Sequence, residues 1–159
     1  MSTRYVSWAS SVAARSVMRA NRKVNTGPEL KLRSALHRIG LRFRVLSRPA
    51  GLNVKVDILF PRMKVAVFVD GCFWHGCPEH GTTPRTNADY WIPKIERTQH
   101  RDVQNDKVLR AAGWEPIHVW EHEPVNLAAE RVAAAVQIGS TVNRLGRRPR
   151  LEATTLRRR

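Results

Sequence analysis

Two neighbouring strand-like segments, each with an acidic residue, constrain this chain more than any other feature. In the first, four apolar residues alternate along the sequence: Val54, Val56, Ile58 and Phe60. This alternation predicts a strand and places Asp57 on its opposite face. The second segment, residues 65–69, is apolar throughout and runs into Asp70, which is typical of a strand buried on both faces. Because a tight turn at Pro61-Arg62 separates the segments, we expect an antiparallel pair with the two carboxylates close together.

Asp57, in an otherwise apolar strand, predicts a metal site, because burying a carboxylate is costly unless a cation meets it. Asp57 and Asp70, with water and a backbone carbonyl, would offer Mg²⁺ the oxygen ligands it prefers, and such an ion polarises a phosphate. Glu29, in the first turn of a predicted helix, could aim a third carboxylate at the same place. Two alternatives stay open. Asp57 could face solvent or pair with an arginine such as Arg44, and Asp70-Gly71 could be only a turn signal.

The pattern of the whole chain predicts an αβββαβα order and therefore an α/β fold. The first helix is expected to open at Pro28, with Thr26 as its N-cap, and to end at Gly40. Its apolar stripe would comprise Leu30, Ala35, Leu36 and Ile39. The remaining predicted elements are strands over 41–45 and 116–120 and helices over 88–112 and 127–138.

The chain has 159 residues, which predicts one domain that can bury a core without disulfides. No stretch approaches 18 apolar residues, so we expect no membrane span. The N-terminus lacks the apolar block of a signal peptide, and two cysteines are too few for a secreted disulfide scaffold. We therefore expect a cytoplasmic protein.

The charge balance favours a polyanionic partner. Lysine and arginine number 28 against 13 acidic residues, which gives a net charge of +15. Nucleic acid is the usual partner of such a chain, and a ribosomal-type or membrane-surface protein is the alternative. We therefore expect a nucleic-acid partner and, with it, association with the nucleoid. No exposed heptad suggests dimerisation, so a monomer is expected, and the sequence identifies no repair or methylase partner.

The positive charge is concentrated at the two ends of the chain. Residues 1–24 carry five cations and no acid, and residues 144–159 carry seven arginines and one glutamate. We therefore divide the chain into a basic N-terminal arm (1–24), a more balanced central domain (25–143) and a basic tail (144–159). The composition of the tail is typical of a segment that orders only on a polyanion, although it could simply promote solubility.

Four side chains match a tetrahedral structural zinc site in number and type: Cys72, Cys77, His80 and His122. Their spacing is not that of a standard zinc finger. The alternatives are a pair of buried thiols, or histidines paired with Glu79 and Glu121. His75 could replace His80 as the fourth ligand, or it could carry out proton chemistry near neutral pH.

Phe73 and Trp74 are two large aromatic side chains between potential metal ligands. On a DNA-binding surface, such side chains can wedge between base pairs and unstack them. The alternative is a small local core that packs over the zinc.

The same residues form a series of motifs that resembles the very-short-patch repair endonucleases. The likeness runs in order from about residue 15 to residue 125, and the string Gly71-Cys-Phe-Trp-His is its most specific part. The motifs are Arg15-Ser-Val-Met-Arg-Ala, Pro28-Glu-Leu, Val56-Asp57, Val67-Phe-Val-Asp-Gly-Cys-Phe-Trp-His, Tyr90-Trp-Ile-Pro-Lys-Ile, Arg101-Asp102, Gly113-Trp and Val119-Trp-Glu. The resemblance implies a restriction-endonuclease-like fold, with a mixed central sheet that is flanked by helices and stabilised by a structural zinc site.

The resemblance also implies catalytic roles. Asp57 is similar in position to the family's central Mg²⁺ ligand, and the backbone carbonyl of Val69 would be a second ligand. Glu29 would contact metal-bound water, and His75 would activate the attacking water.

Further roles concern DNA contact and the structural metal. Met18, Phe73 and Trp74 resemble the family's wedge beside the mismatch, and Arg19, next to Met18, is a candidate DNA contact. Three residues lie where structural zinc ligands lie, with His80 as the nearest fourth: Cys72, Cys77 and His122.

Three departures from the family pattern stand out. A histidine usually occupies the position of Asp70, and an aspartate can only accept protons or bind metal there. The ligand string after His75 is altered, and the tail from about Arg144 matches nothing in the family.

Together, these observations predict a Mg²⁺-dependent DNA endonuclease that nicks one strand at a T:G mismatch. The alternatives are a zinc-stapled DNA-binding module without catalysis and a related nuclease that acts on modified or foreign DNA.

Overall fold

A computed structural model describes residues 24–81 and 87–145 of the chain. Within these ranges it contains three helices and a four-stranded sheet, in the predicted αβββαβα order. The elements are α1 (Gly27–Arg38), β1 (Arg44–Ser47), β2 (Val56–Phe60), β3 (Val65–Asp70), α2 (Ala88–Ala111), β4 (Glu115–Trp120) and α3 (Val125–Leu145). The predicted α/β class, with a mixed sheet flanked by helices, is confirmed.

The strands lie in the order β1-β2-β3-β4. The first three form antiparallel pairs, and the pairing of Ile58 with Val67 sets the register of β2 and β3. β4 lies parallel to β3, and α2 makes the crossover between them. A crossover helix is the usual way to join parallel neighbours, because the chain must return to the same end of the sheet.

Apolar clusters on the two faces of the sheet bury β2 and β3 from both sides. The larger cluster joins the sheet to α1 and α3 and contains Leu36, Phe60, Val67 and Val132. The smaller cluster contains Leu109 of α2, Leu59 and Ala66. Leu59 is only 2% exposed, so the strand face shared with Asp57 is also an interior face.

The apolar stripe predicted for α1 is partly wrong. Leu30 and Ile39 are 49% and 54% exposed, whereas Leu32, Ala35 and Leu36 face the core. Glu29 is also buried. The first turn therefore points a carboxylate inward where the sequence pattern suggested a leucine, and the hydrogen bonds of Glu29 explain that orientation.

Two element boundaries also differ from expectation. β1 starts at Arg44 rather than at residue 41, because the N–H of Leu41 donates to the carbonyl of Leu36 and completes the end of α1. α3 continues past Gly139, a residue that usually signals a helix end. A Cβ at Gly139 would lie 2.4 Å from the carbonyl oxygen of Met63, so glycine is needed there for close packing.

Met18 and Arg19, with the rest of the N-terminal arm and nearly all of the basic tail, lie outside the described residues. The helices within 24–81 and 87–145 include none that is long and apolar enough to cross a membrane.

We expect Leu36→Ala to lower the free energy of unfolding by about 2–5 kcal/mol, because the fully buried side chain would leave a cavity between α1 and the sheet. The matched control is Leu30→Ala on the same helix, where the side chain is half exposed and the change should be below about 0.5 kcal/mol. Urea unfolding of both variants measures the difference, and equal losses would contradict this packing.

Candidate active site and metal-binding cluster

Asp57 lies on β2 beside the end of β3. Its Oδ2 accepts a hydrogen bond from the backbone N–H of Val69 at 2.9 Å. Burial raises the pKa of Asp57, and the charges of Glu29 and Asp70 raise it further, whereas the Val69 N–H and the charge of Arg33 lower it; the net pKa is raised. Among the described residues Asp57 forms no ion pair, with Arg44 or any other cation. The result is a partly buried carboxylate with two acidic neighbours and one basic neighbour.

Glu29 lies close enough to influence Asp57, but its oxygens are already hydrogen-bonded. Oε2 accepts hydrogen bonds from Arg33 at 2.7 Å and from the backbone N–H of Asn25 at 3.0 Å. Oε1 accepts the hydroxyl of Thr26 at 3.0 Å. Thr26 is the N-cap residue, as predicted, but its hydroxyl binds Glu29 and does not cap the helix. Glu29 therefore holds the start of α1 beside the acidic site.

Asp70 ends β3 and is 5% exposed. Its Oδ2 lies 2.5 Å from Nδ1 of His118, and its Oδ1 lies 3.5 Å from Nδ1 of His75. Both carboxylate oxygens therefore face imidazole nitrogens. The surroundings of Asp57 are different, because its carboxylate accepts a hydrogen bond from a backbone amide.

His75 is held in place from two sides. Its Nδ1 lies 2.7 Å from Oδ2 of Asp102 on α2, and its carbonyl accepts the side chain of Gln99 at 3.3 Å. Gly76 has a φ of +62°, and a Cβ there would lie 2.3 Å from the same Gln99 amide. Burial lowers the pKa of His75, but the hydrogen bond to Asp102 and the charge of Asp70 outweigh it, so the net pKa is raised.

His118 lies at the centre of β4 with a carboxylate at each ring nitrogen. Its Nε2 lies 2.9 Å from Oδ1 of Asp106, and its Nδ1 faces Asp70. Its ring stacks on Phe68, with centroids 4.9 Å apart and planes at 17°. Burial lowers the pKa of His118, but the hydrogen bonds to Asp70 and Asp106 raise it to about 9.

Sequence reasoning assigned no role to Asp102, Asp106 or His118. A signal for each was present. Asp102 and Asp106 are four residues apart and therefore share one face of α2. His118 interrupts the apolar strand β4 in the same way that Asp57 interrupts β2. To predict that these three residues lie close together, one would have to know how α2 crosses the sheet.

The Cys/His set gathers into one cluster of potential metal ligands: Cys72, Cys77, His80 and His122. The four ligand atoms all lie within 4.8 Å of one another. His75 is directed instead toward Asp102, so His80 is the histidine of the loop that joins the cluster. Both cysteines are buried and unbridged.

The backbone around the cluster supports this arrangement. Cys77 N–H donates to the carbonyl of Cys72 at 2.9 Å, and His80 N–H approaches the Cys77 sulfur at 3.4 Å. Glu121 accepts the N–H of Cys72 at 2.7 Å, so it braces the loop. His122 lies 3.5 Å from a carboxylate oxygen of Glu79, a residue whose side chain is 72% exposed.

Phe73 and Trp74 form an aromatic cluster with α2. Their rings pack against Trp91, with centroids 5.4 and 5.6 Å away. Nζ of Lys94 lies 5.0 to 5.4 Å from the ring centres of Trp74, Tyr90 and Trp91. Trp74 remains 37% exposed. Within the described residues, no ring contact joins Phe73 or Trp74 to the histidines of the metal-binding cluster.

Comparison with known proteins supports the resemblance. The family model of the DNA mismatch endonuclease Vsr matches residues 10–80. The type II nicking enzyme V.NaeI of Lentzea aerocolonigenes is 49% identical over 122 residues, which cover 75% of this chain and 72% of that protein. The type II nicking enzyme V.XorIIP of Xanthomonas oryzae pv. oryzae is 43% identical over 117 residues, which cover 72% of this chain and 84% of that protein.

The DNA mismatch endonuclease Vsr of Escherichia coli is also similar, with 33% identity over 108 residues, which cover 65% of this chain and 66% of that protein. The alternative of a DNA-binding module without catalysis loses its support, because the relatives are named as nicking enzymes and endonucleases. The chain therefore belongs to the Vsr family and is a DNA endonuclease.

Proposed function

We propose that this endonuclease nicks one strand of double-stranded DNA at a T:G mismatch and that it depends on Mg²⁺. The observation that carries the proposal is Asp57, a partly buried carboxylate with a raised pKa and no ion-pair partner in the described part of the chain. The family relatives named as nicking and mismatch enzymes support the reaction and the substrate.

The residues around Asp57 fit a hard divalent cation. The charges of Glu29 and Asp70 disfavour the ionised form of Asp57, with Arg33 acting in the opposite direction, and a bound cation would stabilise that ionised form. We assign the ion to the Asp57 carboxylate and the Val69 carbonyl. We leave Asp70 out of this ligand set because both of its oxygens face imidazoles. When bound, Mg²⁺ would polarise the scissile phosphate and make a bound water more acidic.

His75 is our candidate for the base that accepts a proton from the attacking water. Its Nδ1 lies against Asp102, so a hydrogen on Nδ1 is donated to that carboxylate and leaves Nε2 as the proton acceptor. Asp102 also orients the ring, as a carboxylate does in other histidine-based sites. Glu29 holds the start of α1 beside the site and adds negative charge near Asp57.

The aromatic cluster supports mismatch selection. Trp74 is partly exposed, and Phe73 lies edge-on beside it. We propose that these two side chains, with Met18, enter the base stack. A mispaired step costs less to distort than a matched one, so ease of unstacking contributes to selectivity.

Three further parts of the proposal follow from the sequence. The core would have the restriction-endonuclease-like fold, with the endonuclease domain over 25–143. The arms at 1–24 and 144–159, together with Arg19, would neutralise DNA phosphates. Affinity should then fall steeply as salt rises, because phosphate contacts release bound counterions.

We expect Asp57→Asn to lower the nicking rate by more than about 100-fold while DNA affinity changes little, because metal catalysis supplies several kcal/mol. The measurement compares end-labelled T:G and matched duplexes with Mg²⁺ and without added divalent ion. The control variant, Glu130→Gln, removes an exposed carboxylate of α3 and should nick like the parent.

Two results would contradict this proposal. Equal nicking of matched and T:G duplexes would end the mismatch assignment and would favour a task on other DNA, such as modified or foreign DNA. Unchanged nicking by Asp57→Asn would end the assignment of the metal site.

We also propose that Cys72, Cys77, His80 and His122 hold a structural zinc ion. Two thiolates and two imidazoles suit zinc in number and chemistry, and the four ligand atoms lie within 4.8 Å of one another. Such a site would tie the loop after β3 to the turn after β4.

We expect Cys77→Ser to lose stoichiometric zinc and several kcal/mol of unfolding free energy, because zinc binding to a structural site contributes directly to folding. Metal analysis and denaturant unfolding measure the two effects. The parent protein after zinc removal should unfold like the variant. A variant that retains one zinc per chain and the parent stability would show that the site has no structural role.

A further inference from the structure

Five side chains near the active site form one array in which carboxylates and imidazoles alternate: Asp106, His118, Asp70, His75 and Asp102. The distances between neighbours are 2.9, 2.5, 3.5 and 2.7 Å. The proposed function uses His75 and Asp102. It gives no role to Asp106, His118 or Asp70, and the family resemblance assigns no role to Asp106 or His118.

His118 supplies the positive charge that the buried Asp70 requires. Each ring nitrogen of His118 lies within hydrogen-bond distance of a carboxylate oxygen, and an imidazole donates from both nitrogens only when it is protonated. The ion-pair partners of Asp70 among the described residues are His118 and His75. Removing His118 would therefore leave a buried carboxylate short of compensating charge.

We propose that His118, held by Asp106, is a positioning residue that fixes Asp70 as an anchor for His75 and keeps Asp70 from binding the metal. The proposal rests on the proposed function in one respect, namely that His75 is the reactive base. It gives a structural meaning to the aspartate at position 70, where the family usually has a histidine.

The geometry explains why Asp70 cannot both anchor His75 and bind the metal ion. With Oδ2 bound to His118 and Oδ1 facing His75, a turn of the carboxylate toward another ligand would break the shortest hydrogen bond of the array. The stacking of Phe68 on the His118 ring adds a second restraint on that ring. Asp70 thus places a fixed negative charge 3.5 Å from Nδ1 of His75, whose hydrogen bond goes to Asp102.

α2 determines both ends of the array. Asp102 and Asp106 lie one helical turn apart, so the same helix orients the imidazole of the loop and the imidazole of β4. Arg101 lies 3.3 Å from the second oxygen of Asp102 and adds one exposed positive charge at that end.

The test uses the full-length protein with Asp106→Asn, His118→Ala and His118→Asn. Asp106→Asn keeps an oxygen acceptor but loses its charge, and it leaves all contacts of His75 in place. The asparagine of His118→Asn can still donate to Asp70 but is too short to reach Asp106. Single-turnover nicking rate, DNA dissociation constant and the Mg²⁺ concentration for half-maximal rate are measured for each, with Glu130→Gln as the control.

We expect Asp106→Asn to lower the nicking rate about 10-fold and His118→Ala about 100-fold, with DNA affinity within about twofold. His118→Asn should recover part of the rate lost in His118→Ala. Asp70→Asn should also slow nicking, but it should change the half-maximal Mg²⁺ concentration by less than about threefold, because an anchor contributes no metal ligand.

A second readout does not depend on nicking. In protein labelled with ¹⁵N-histidine and free of Mg²⁺, the ring nitrogen signals of His75 should shift in Asp106→Asn, although Asp106 does not contact His75. This transmitted shift would support the array even if the parent nicked no DNA, a result that would overturn the proposed function alone.

Any one of three outcomes would overturn the inference. The first is nicking by Asp106→Asn and His118→Asn at rates within twofold of the parent. The second is a more than 10-fold rise in the Mg²⁺ requirement of Asp70→Asn, which would make Asp70 a metal ligand, and the third is unshifted His75 signals in Asp106→Asn. Should His118→Ala fail to fold, Asp106→Asn and His118→Asn still decide the question.

Discussion

A carboxylate buried at the end of β3 must meet positive charge, and much of the surrounding structure is arranged around that requirement. His118 meets Asp70 from the neighbouring parallel strand, and Asp106 holds the far side of the His118 ring. The loop that follows β3 brings His75 to the other oxygen of Asp70. The parallel pairing of β3 and β4 is therefore a chemical constraint as well as a topological one, since it places His118 on the neighbouring strand two positions from the register partner of Asp70, on the same face of the sheet.

The prediction from sequence succeeded where local pattern decides structure. Periodicity identified all seven described elements, and the alternation in β2 placed Asp57 correctly on the face opposite Ile58. Prediction was less accurate where a distant contact overrides a local signal. α3 continues through Gly139 because Met63, distant in the sequence, lies against it. The burial of Glu29 is a different case, because its partner Arg33 lies four residues away on the same helix and the predicted apolar stripe did not take this local pair into account.

The site shows the same division between local and long-range information. The four-residue Cys/His set could be predicted because three of its members lie in one loop and their chemistry is distinctive. The choice between His75 and His80 as the fourth member of this set required the structure. Both residues lie in the same short loop, and they differ only in the residues that they contact elsewhere in the fold. The link from Asp106 to Asp70 joins α2, β4 and β3, which a linear motif cannot describe. The roles of Met18 and Arg19 remain predictions.

α2 carries Trp91 at one end and Asp102 and Asp106 farther along the same helix. The separation of Trp91 and Asp102 is 11 residues, or roughly 16 Å along the axis. Pro93 lies between them, but α2 runs without a break from Ala88 to Ala111, and a continuous helix can transmit displacement: if a duplex pushes on the aromatic end, both aspartates would move with it. Correct seating of the substrate and alignment of the two imidazoles would then be one mechanical event, and a poorly seated duplex would meet a misaligned proton acceptor.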